Sequence, residues 1–450
     1  MKKLFTTIVM AAFAVASFAG GLLTNTNQHS AFVRNPARFA SLGIDAVYFN
    51  PAGTAFLQDG WHLSANWQMI WQQRDAIAVT PQGNKKFNGE VYVPALPTFL
   101  AAYKTGDWTF SGFFGVPGGG GKCEFADGLP SFNGLASMAA GGLPGNSEFT
   151  STQYVFALQL GAAYKINDNL SAFAGVRGNY TSANYEGKIG ASMPTANGNL
   201  PVFGIDLDLD QSGIAFAPVV GIDYKVGNFN FAAKYEFRAI TTVENETNTF
   251  GLSQLVDPAT GQMNNMDLTN PNILNAAMAA NPTLGALAGF ADGNTLRNDA
   301  PAMLSLAGSW QALPRLQVMA GWNYYFDKDA KVESLMGGDN MRKLSRNTFE
   351  YLFGAEYQLT DKFLVSAGIQ FTNFGINDNY TSDLGFTNDS FMTGVGGKYS
   401  LTDKVDINFG YCYANYAPDN CVKNAGTPME TKTRYERKTH NATIGVDFRL

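Results

Sequence analysis

Hydrophobic and polar residues alternate with a period of two along much of the chain, most clearly in the segment from Trp61 to Gln72. Tryptophan, leucine, alanine and methionine occupy every second position there, and most positions between them are histidine, serine, asparagine or glutamine. A period of two places the two sets on opposite faces of a β-strand. Three tryptophans on one face indicate a surface in contact with lipid, and the polar face then lines a wet interior.

The alternation recurs in other segments, including 154–164, 229–238 and 349–357. In the second of these, Lys234, Glu236 and Arg238 share one face. A charged side chain that faces lipid at mid-depth costs about 2–4 kcal/mol, so we expect these three residues to point inward. The pattern predicts an all-β fold, a fourteen-stranded antiparallel transmembrane barrel, with strands near 61–74, 92–104, 108–117, 150–166, 170–181, 212–226, 229–242, 300–312, 315–327, 347–359, 362–374, 388–400, 404–416 and 438–450.

Short turns that follow an aromatic residue connect pairs of these strands and give the barrel its orientation. Short turns belong on the periplasmic side, where the aromatic residues form a girdle. The connections on the other side are long, and the two largest are predicted near 182–211 and 243–299. The second one contains a short apolar helix that we expect to pack against a neighbour or a ligand, with Ile273, Leu274, Met278, Leu284 and Leu287 as candidate substrate contacts.

The first residues predict the compartment. Lys2 and Lys3 precede an apolar run from Leu4 to Phe18, which is shorter than the roughly 20 residues needed to span a bilayer. We therefore predict a secretory signal peptide over residues 1–19 and export to the outer membrane of a Gram-negative bacterium. The composition of 34 Phe, 48 Gly and 15% charged residues, with a mean hydropathy of −0.11, is typical of strands with one oily and one polar face.

Charge and candidate chemistry exclude several function classes. A net charge of −6 argues against nucleic acid as a partner. The 3 histidines suggest no Ser-His-acid arrangement, and no metal-ligand spacing stands out, so we predict neither an enzyme nor a cofactor. Cys412 and Cys421 could form a disulfide across one loop or remain free thiols.

Two arginines are candidates for binding a substrate carboxylate. Arg177 and Arg238 are predicted to point inward on the fifth and seventh strands, and a guanidinium binds a carboxylate through two parallel hydrogen bonds. The alternative is that they pair with Glu236, Glu350 or a residue of the N-terminal segment.

Proline and glycine predict a weak point in the wall. The second strand contains Pro94 and Pro97, which cannot donate hydrogen bonds to a neighbouring strand. The third strand contains Gly112 and Gly115 and ends at Pro117. We therefore predict weakened hydrogen bonding between these two strands. Pro218 lies inside the sixth strand, where we expect a local β-bulge.

Residues 20–58 are too long to form a simple tail before a barrel of residues 59–450. The segment is rich in Asn, Ala and Gly, and it ends in Phe49, Asn50, Pro51, Ala52 and Gly53. Proline favours an extended residue before it, and asparagine can cap a turn with its side chain. A compact, irregular segment of this kind must be buried, and the lumen is the available space.

The signal peptide, the segment ending in Phe49–Gly53 and the fourteen predicted strands resemble, over the whole mature chain, the FadL/TodX family of outer-membrane long-chain fatty acid and hydrocarbon transporters. The resemblance implies that residues 20–58 plug the lumen. It also implies capture of substrate by the third and fourth extracellular loops and lateral exit through a gap near the third strand, here at Pro97, Gly112, Gly115 and Pro117. The sequence Arg34-Asn-Pro-Ala-Arg38 replaces a Gly/Ala-rich run that the family usually carries.

The leading functional hypothesis is passive uptake of hydrophobic small molecules such as long-chain fatty acids. The alternatives are a general or solute-selective porin and a surface adhesin or receptor. The Ala, Leu and Met residues between 270 and 290 favour the transporter over the porin. Besides its cargo, the expected partners are outer-membrane lipid and the barrel-assembly machinery. The usual assembly signal is a C-terminal aromatic residue; Leu450 departs from this pattern, and Phe448 is the aromatic residue expected to serve instead.

Overall fold

A computed structural model describes residues 27–450 except 82, 197, 258, 281–287, 334, 336–343, 376, 379, 384, 428 and 429. The predicted signal peptide, Leu284 and Leu287 lie outside the described residues. All the strands in the described residues join one sheet of eighteen members. No helix in the described part of the chain is both long enough and apolar enough to cross a membrane.

The strands are Gly60–Thr80 (β1), Gly83–Thr105 (β2), Trp108–Phe125 (β3), Gly145–Lys165 (β4), Leu170–Thr195 (β5), Gly198–Val226 (β6), Phe229–Glu236 (β7), Thr242–Asp257 (β8), Gln262–Asp267 (β9), Thr295–Arg297 (β10), Met303–Leu313 (β11), Leu316–Tyr325 (β12), Thr348–Gln358 (β13), Phe363–Asn373 (β14), Ser390–Thr402 (β15), Val405–Tyr416 (β16), Asp419–Lys423 (β17) and Thr431–Arg449 (β18). The α-helices are Ser30–Arg34 (α1), Ala46–Phe49 (α2), Pro130–Ala139 (α3) and Pro271–Ala280 (α4), with 3-10 helices at Pro51–Phe56 and Asp327–Asp329.

Fourteen of these strands close an antiparallel barrel, as the sequence predicted. Closure is made by β1 and β18, whose ladder runs from His62 opposite Arg449 to Val79 opposite Lys432. The other four strands lengthen the wall beyond the membrane: β8 pairs with β6, β9 and β10 pair with β8, and β17 pairs with β18.

The alternation along β1 has the predicted consequence. Trp67 is 52% exposed on the outer surface, and the next residue, Gln68, is 0% exposed inside the barrel. Lys234 and Glu236 likewise point inward and are buried. The inward orientation of Arg238 stays a prediction, because β7 ends at Glu236 and the chain leaves the ladder there. Arg238 is partly exposed and donates to the backbone oxygen of Asp329.

The predicted loop at 182–211 is wrong, because β5 and β6 continue through it as one long hairpin. Ile205, Leu207 and Leu209 point inward and are buried, whereas Asp206 points outward and is exposed. The period of two therefore continues beyond the membrane. Its outward positions are acidic there, because they face water instead of lipid.

Pro218 does not produce the predicted bulge against β5, since it stays in unbroken register opposite Val176. The interruption lies on the other edge of β6. On that edge, residues 219–226 pair with β7 and residues 203–212 pair with β8, so the residues between Ser212 and Val219 pair with neither strand. The ladder changes partner at the proline, whose nitrogen cannot donate.

Candidate functional site

The N-terminal segment fills the lumen at the level of the membrane. Helices α1 and α2 are buried throughout. Four aromatic side chains hold the segment together, and the rings of Phe32 and Phe49 stack with centroids 4.6 Å apart. Phe39 and Tyr48 meet Phe49 edge-on at 5.3 and 5.0 Å. The plug aromatics also pack against inward-facing apolar side chains of the wall, such as Phe113 and Leu352, so that plug and wall share one apolar core.

The Phe49–Gly53 motif fastens this plug to the wall. The Asn50 amide donates to the backbone oxygen of Ser41 at 3.0 Å and to a carboxylate oxygen of Asp223 on β6 at 2.5 Å. The Ser171 hydroxyl on β5 donates to the backbone oxygen of Ala52 at 2.8 Å. A Cβ atom on Gly53 would lie 2.4 Å from the Asn50 amide nitrogen, so the motif requires glycine at that position.

Buried ion pairs tie the first half of the plug to the opposite wall. Arg34 and Arg38 both contact one carboxylate oxygen of Glu356 on β13, at 2.5 and 2.7 Å. Arg38 also pairs with Asp45 within the plug at 2.5 Å. Burial alone would raise the pKa of Asp45, but the ion pair with Arg38 outweighs burial and holds that pKa below its ordinary value.

Glycines on β15 and β16 allow helix α1 to lie directly against the barrel wall. A Cβ atom on Gly394 would be 2.3 Å from the backbone oxygen of Val33. One on Gly396 or Gly410 would approach the Cβ of Arg34 to 2.9 or 3.1 Å. Small residues in the wall thus accommodate the backbone of α1 and the large side chain of Arg34.

The ladder between β2 and β3 is interrupted. Phe99 pairs with Phe114 on the periplasmic side of the break and Val91 pairs with Cys123 on its extracellular side. We call the unpaired stretches, residues 92–98 of β2 and 115–122 of β3, the seam. Pro97, Gly115 and Pro117 lie in the seam, whereas Gly112 pairs with Ala101 in the intact ladder.

The backbone of β3 is irregular along the seam. Its register against β4 shifts between Gly115 and Gly118 and again between Gly119 and Gly121. Gly119 and Gly121 have φ values of 106° and 72°, in the left-handed region that glycine tolerates. The chain therefore kinks at the glycine run and cannot follow β2.

A cavity of about 120 Å³ lies directly behind the seam. Val93 and Leu96 of β2 and residues 116–121 of β3 line one side, and Met392 and Ala414 line the other. The first described residues of the plug close one side of the cavity. There the Gln28 side chain donates to the backbone oxygen of Val116 at 2.9 Å. The volume is close to the roughly 150 Å³ of an engineered cavity that binds benzene.

Two arginines that the sequence analysis did not select lie at the extracellular end of this cavity. Arg74 on β1 is directly opposite Arg437 on β18. Arg437 lines the cavity and, with Arg74, also a smaller adjoining one of about 40 Å³. Arg74 follows the polar face of Trp61–Gln72 by two residues, so continuing that alternation would have predicted it. Arg437 was missed because the last strand was predicted to begin at 438.

The predicted substrate-binding residues lie elsewhere. Arg177 points inward but pairs with Glu236 at 2.6 Å. Pairing with Glu236 is the alternative to carboxylate binding that the sequence analysis gave. On the extracellular side, Leu274 of α4 is buried in a large apolar cluster, and Met278 packs against it. Ile273 is 37% exposed. A role of these residues in substrate binding stays a prediction.

The described cysteines Cys123, Cys412 and Cys421 are all buried free thiols. The structure therefore contains no disulfide between Cys412 and Cys421, which settles the alternative that the sequence left open.

Comparison with known proteins gives the family. Residues 10–449 match the family described as outer membrane protein transport protein (OMPP1/FadL/TodX). The chain belongs to this family. It is accordingly a β-barrel of the bacterial outer membrane and a transport protein, not an enzyme.

Solved structures agree in fold. A FadL homologue of Pseudomonas aeruginosa superposes with a TM-score of 0.67 at 17% identity, over 96% of this chain and 100% of that one. The toluene transporter TodX of Pseudomonas putida gives 0.57 at 14% identity, over 91% and 94%. The toluene transporter TbuX of Ralstonia pickettii gives 0.54 at 17% identity, over 91% and 94%. No curated protein matches the chain in sequence.

Proposed function

We propose that this protein takes up hydrophobic small molecules, such as long-chain fatty acids, passively across the outer membrane. The cargo is captured at the extracellular apolar cluster, binds in the interior cavity and leaves sideways through the seam after the start of the plug moves. The observation that carries the proposal is the position of the cavity, directly behind the interrupted β2–β3 ladder.

Lateral exit suits an apolar cargo for an energetic reason. Each methylene group moved from an apolar surrounding into water costs about 0.8 kcal/mol. A path from the cavity through the seam leads into lipid and avoids this cost, whereas a path along the lumen ends in the aqueous periplasm. The similarity in fold to a FadL homologue and to two toluene transporters supports an apolar cargo.

A general porin has less support. A polar solute would need an open lumen, which here holds the plug with its buried aromatic core and its ion pairs to Glu356. Moving the first described residues, such as Gln28, requires breaking far fewer contacts than removing the whole plug. The proposed route therefore uses the seam beside Gln28 and leaves α1 in place.

Uptake in whole cells tests the proposal. A strain that lacks the gene is complemented with the wild-type chain or with a variant lacking residues 20–40, and uptake of labelled oleate is compared with permeation of a labelled disaccharide. We expect oleate uptake only with the wild-type chain, while assembly of both proteins is verified in outer-membrane fractions. Unchanged oleate uptake after deletion of the gene, with altered disaccharide permeation, would overturn the proposal in favour of a porin.

A further inference from the structure

The lipid-facing surface of the barrel carries an apolar groove of about 400 Å³ where β15, β16, β18 and β1 lie side by side. Its floor is Ala442 on β18, which lies opposite Tyr411 on β16 and Met69 on β1. The larger side chains that surround this alanine are Trp67, Met69, Val395, Phe409, Tyr411 and Ile444. A single small residue among large ones thus forms a depression in the apolar band of the outer surface.

The extracellular end of the groove is aromatic and polar. The Tyr411 hydroxyl and the Nδ1 atom of His440 are hydrogen-bonded at 2.6 Å, and the centroid of the His440 ring lies 4.8 Å from that of Tyr413. His440 is also opposite Trp71 on β1. Tyrosine and tryptophan are enriched where the apolar interior of a membrane meets the lipid headgroups. The groove therefore opens toward the headgroups of the outer leaflet.

Lys438 places a positive charge beyond this aromatic end. It is exposed on the outward face of β18, and its ladder neighbours, Gln73 on β1 and Asn415 on β16, are neutral. In the described part of the chain Lys438 forms no salt bridge, whereas Arg434 on the same strand pairs with Glu436 at 2.6 Å. An apolar groove and an unpaired cation are thus aligned along one face of one strand.

We propose that the groove binds one phosphorylated lipid of the outer leaflet, with an acyl chain over Ala442 and the phosphate group on Lys438. Four residues of strand, about 13 Å, separate these two positions, so one lipid molecule reaches both. A lysine binds phosphate as a point charge, and basic residues at the edge of a membrane bind anionic headgroups. A second copy of the chain fits less well, because a two-fold axis along the membrane normal would bring two Lys438 charges together.

The groove also touches the outer side of the seam. Trp67, which lines the groove, donates from its indole nitrogen to the backbone oxygen of Pro94 at 3.0 Å. Pro94 lies in the unpaired stretch of β2. A bound acyl chain therefore contacts the side chain that holds this edge of the seam. The inference does not rest on the proposed function, since its ligand is a lipid of the membrane and not the cargo.

Native mass spectrometry of the purified full-length barrel, released from detergent micelles, tests the inference. The probes are lipid A with two phosphate groups and the same lipid A after enzymatic removal of both. We expect the wild type to bind one molecule of the phosphorylated probe about tenfold more tightly than the other, which corresponds to one charge-assisted contact. Lys438→Gln should abolish this preference and leave binding of the dephosphorylated probe unchanged. Ala442→Phe fills the groove and should weaken binding of both probes about tenfold.

Two matched variants serve as controls. Lys432→Gln removes an exposed lysine of the same strand that pairs with Glu430 at 3.0 Å. Ala233→Phe enlarges a lipid-facing side chain of β7, on the opposite side of the barrel. Neither control is expected to change the binding of either probe.

Three results would each overturn the inference. The first is equal binding of the two probes by the wild type, and the second is an equal effect of Lys438→Gln and Lys432→Gln. The third is a dimer that forms without lipid and that Ala442→Phe dissociates, which would assign the groove to a second copy of the chain. Folding of each variant is verified by its heat-modifiable mobility on a gel. If Ala442→Phe fails to assemble, Lys438→Gln, which leaves the groove intact, still tests the headgroup contact.

Discussion

The contact of Arg34 and Arg38 with Glu356 leads to a quantitative prediction about the plug. Glu356→Gln removes the negative charge but keeps a side chain of nearly the same size. Arg38 retains Asp45 as a partner at 2.5 Å, so the loss falls mainly on Arg34. The remaining side-chain contact of Arg34 is the Ser366 hydroxyl at 2.6 Å, which is neutral. The variant therefore leaves a buried guanidinium without a carboxylate.

The size of the effect follows from the cost of an uncompensated buried charge. Removing one partner of a buried ion pair costs about 3–5 kcal/mol. The glutamine oxygen still accepts one hydrogen bond, so we expect the lower end, about 3 kcal/mol. Since about 1.4 kcal/mol corresponds to a tenfold change in an equilibrium constant, the fraction of molecules with an undocked plug should rise about a hundredfold.

Thiol labelling measures this fraction. Ala37 is 0% exposed in the plug, so a cysteine placed there reacts with a charged maleimide only when the plug undocks. The background replaces the three native cysteines by alanine. In this background we expect Glu356→Gln to raise the labelling rate of Ala37→Cys about a hundredfold, because the rate tracks the undocked population when opening and closing are fast.

Two further variants make the labelling result interpretable. Asp361→Asn breaks the exposed Arg315–Asp361 pair, with atoms 3.5 Å apart, and is expected to change the labelling rate little, because surface pairs contribute about 0–1 kcal/mol. Combining Arg34→Met with Glu356→Gln removes the unpaired charge and should restore most of the protection. Equal labelling of Glu356→Gln and Asp361→Asn would refute the conclusion that this ion pair holds the plug.

Two other predictions concern the plug motif and a loop carboxyl group. Gly53→Ala is expected to loosen the plug by about 1–3 kcal/mol through overpacking against Asn50; the Ala37→Cys labelling rate measures this, with Gly134→Ala, which meets nothing within 4 Å, as the control. Burial raises the pKa of Asp327 to about 7. The folded state therefore binds the proton of the Asp327 carboxyl group more tightly than the unfolded state does. The free energy of unfolding consequently falls as the pH rises from about 4 to 7. Asp327→Asn removes that loss and should raise the urea midpoint of unfolding at pH 8 but not at pH 4, and an equal shift at both values would contradict the assignment.

The barrel could be predicted from the sequence because one physical signal repeats along it. In β1 the lipid-facing tryptophans and the inward amides obey the same period of two, and the strands inside the membrane follow the same rule. The signal changes in β5 and β6 beyond the membrane, where the outward positions such as Asp206 face water. A prediction based on lipid-facing apolar residues therefore assigned this regular β-hairpin to a loop.

The candidate site was predictable only in part. The prolines in β2 and the glycines in β3 indicated weak pairing because their effect on a ladder is local. The contacts of Arg34 with Glu356 and of Asn50 with Asp223 join residues far apart in the sequence, and no local pattern pairs them. The cross-strand arrangement of Arg74 and Arg437 depends on how the last strand meets the first, which is fixed only when the barrel closes.

The most direct test of the central claim is to close the seam covalently and measure uptake. In the background without native cysteines, Leu96→Cys and Val116→Cys, two positions that line the cavity, are bridged by a short, reducible bifunctional maleimide on intact cells. A second pair, at Phe99 and Phe114 in the intact ladder, serves as the control. We predict that the first bridge blocks uptake of labelled oleate, that reduction restores it and that the control bridge has no effect. Undiminished uptake with the seam bridged would contradict exit between β2 and β3.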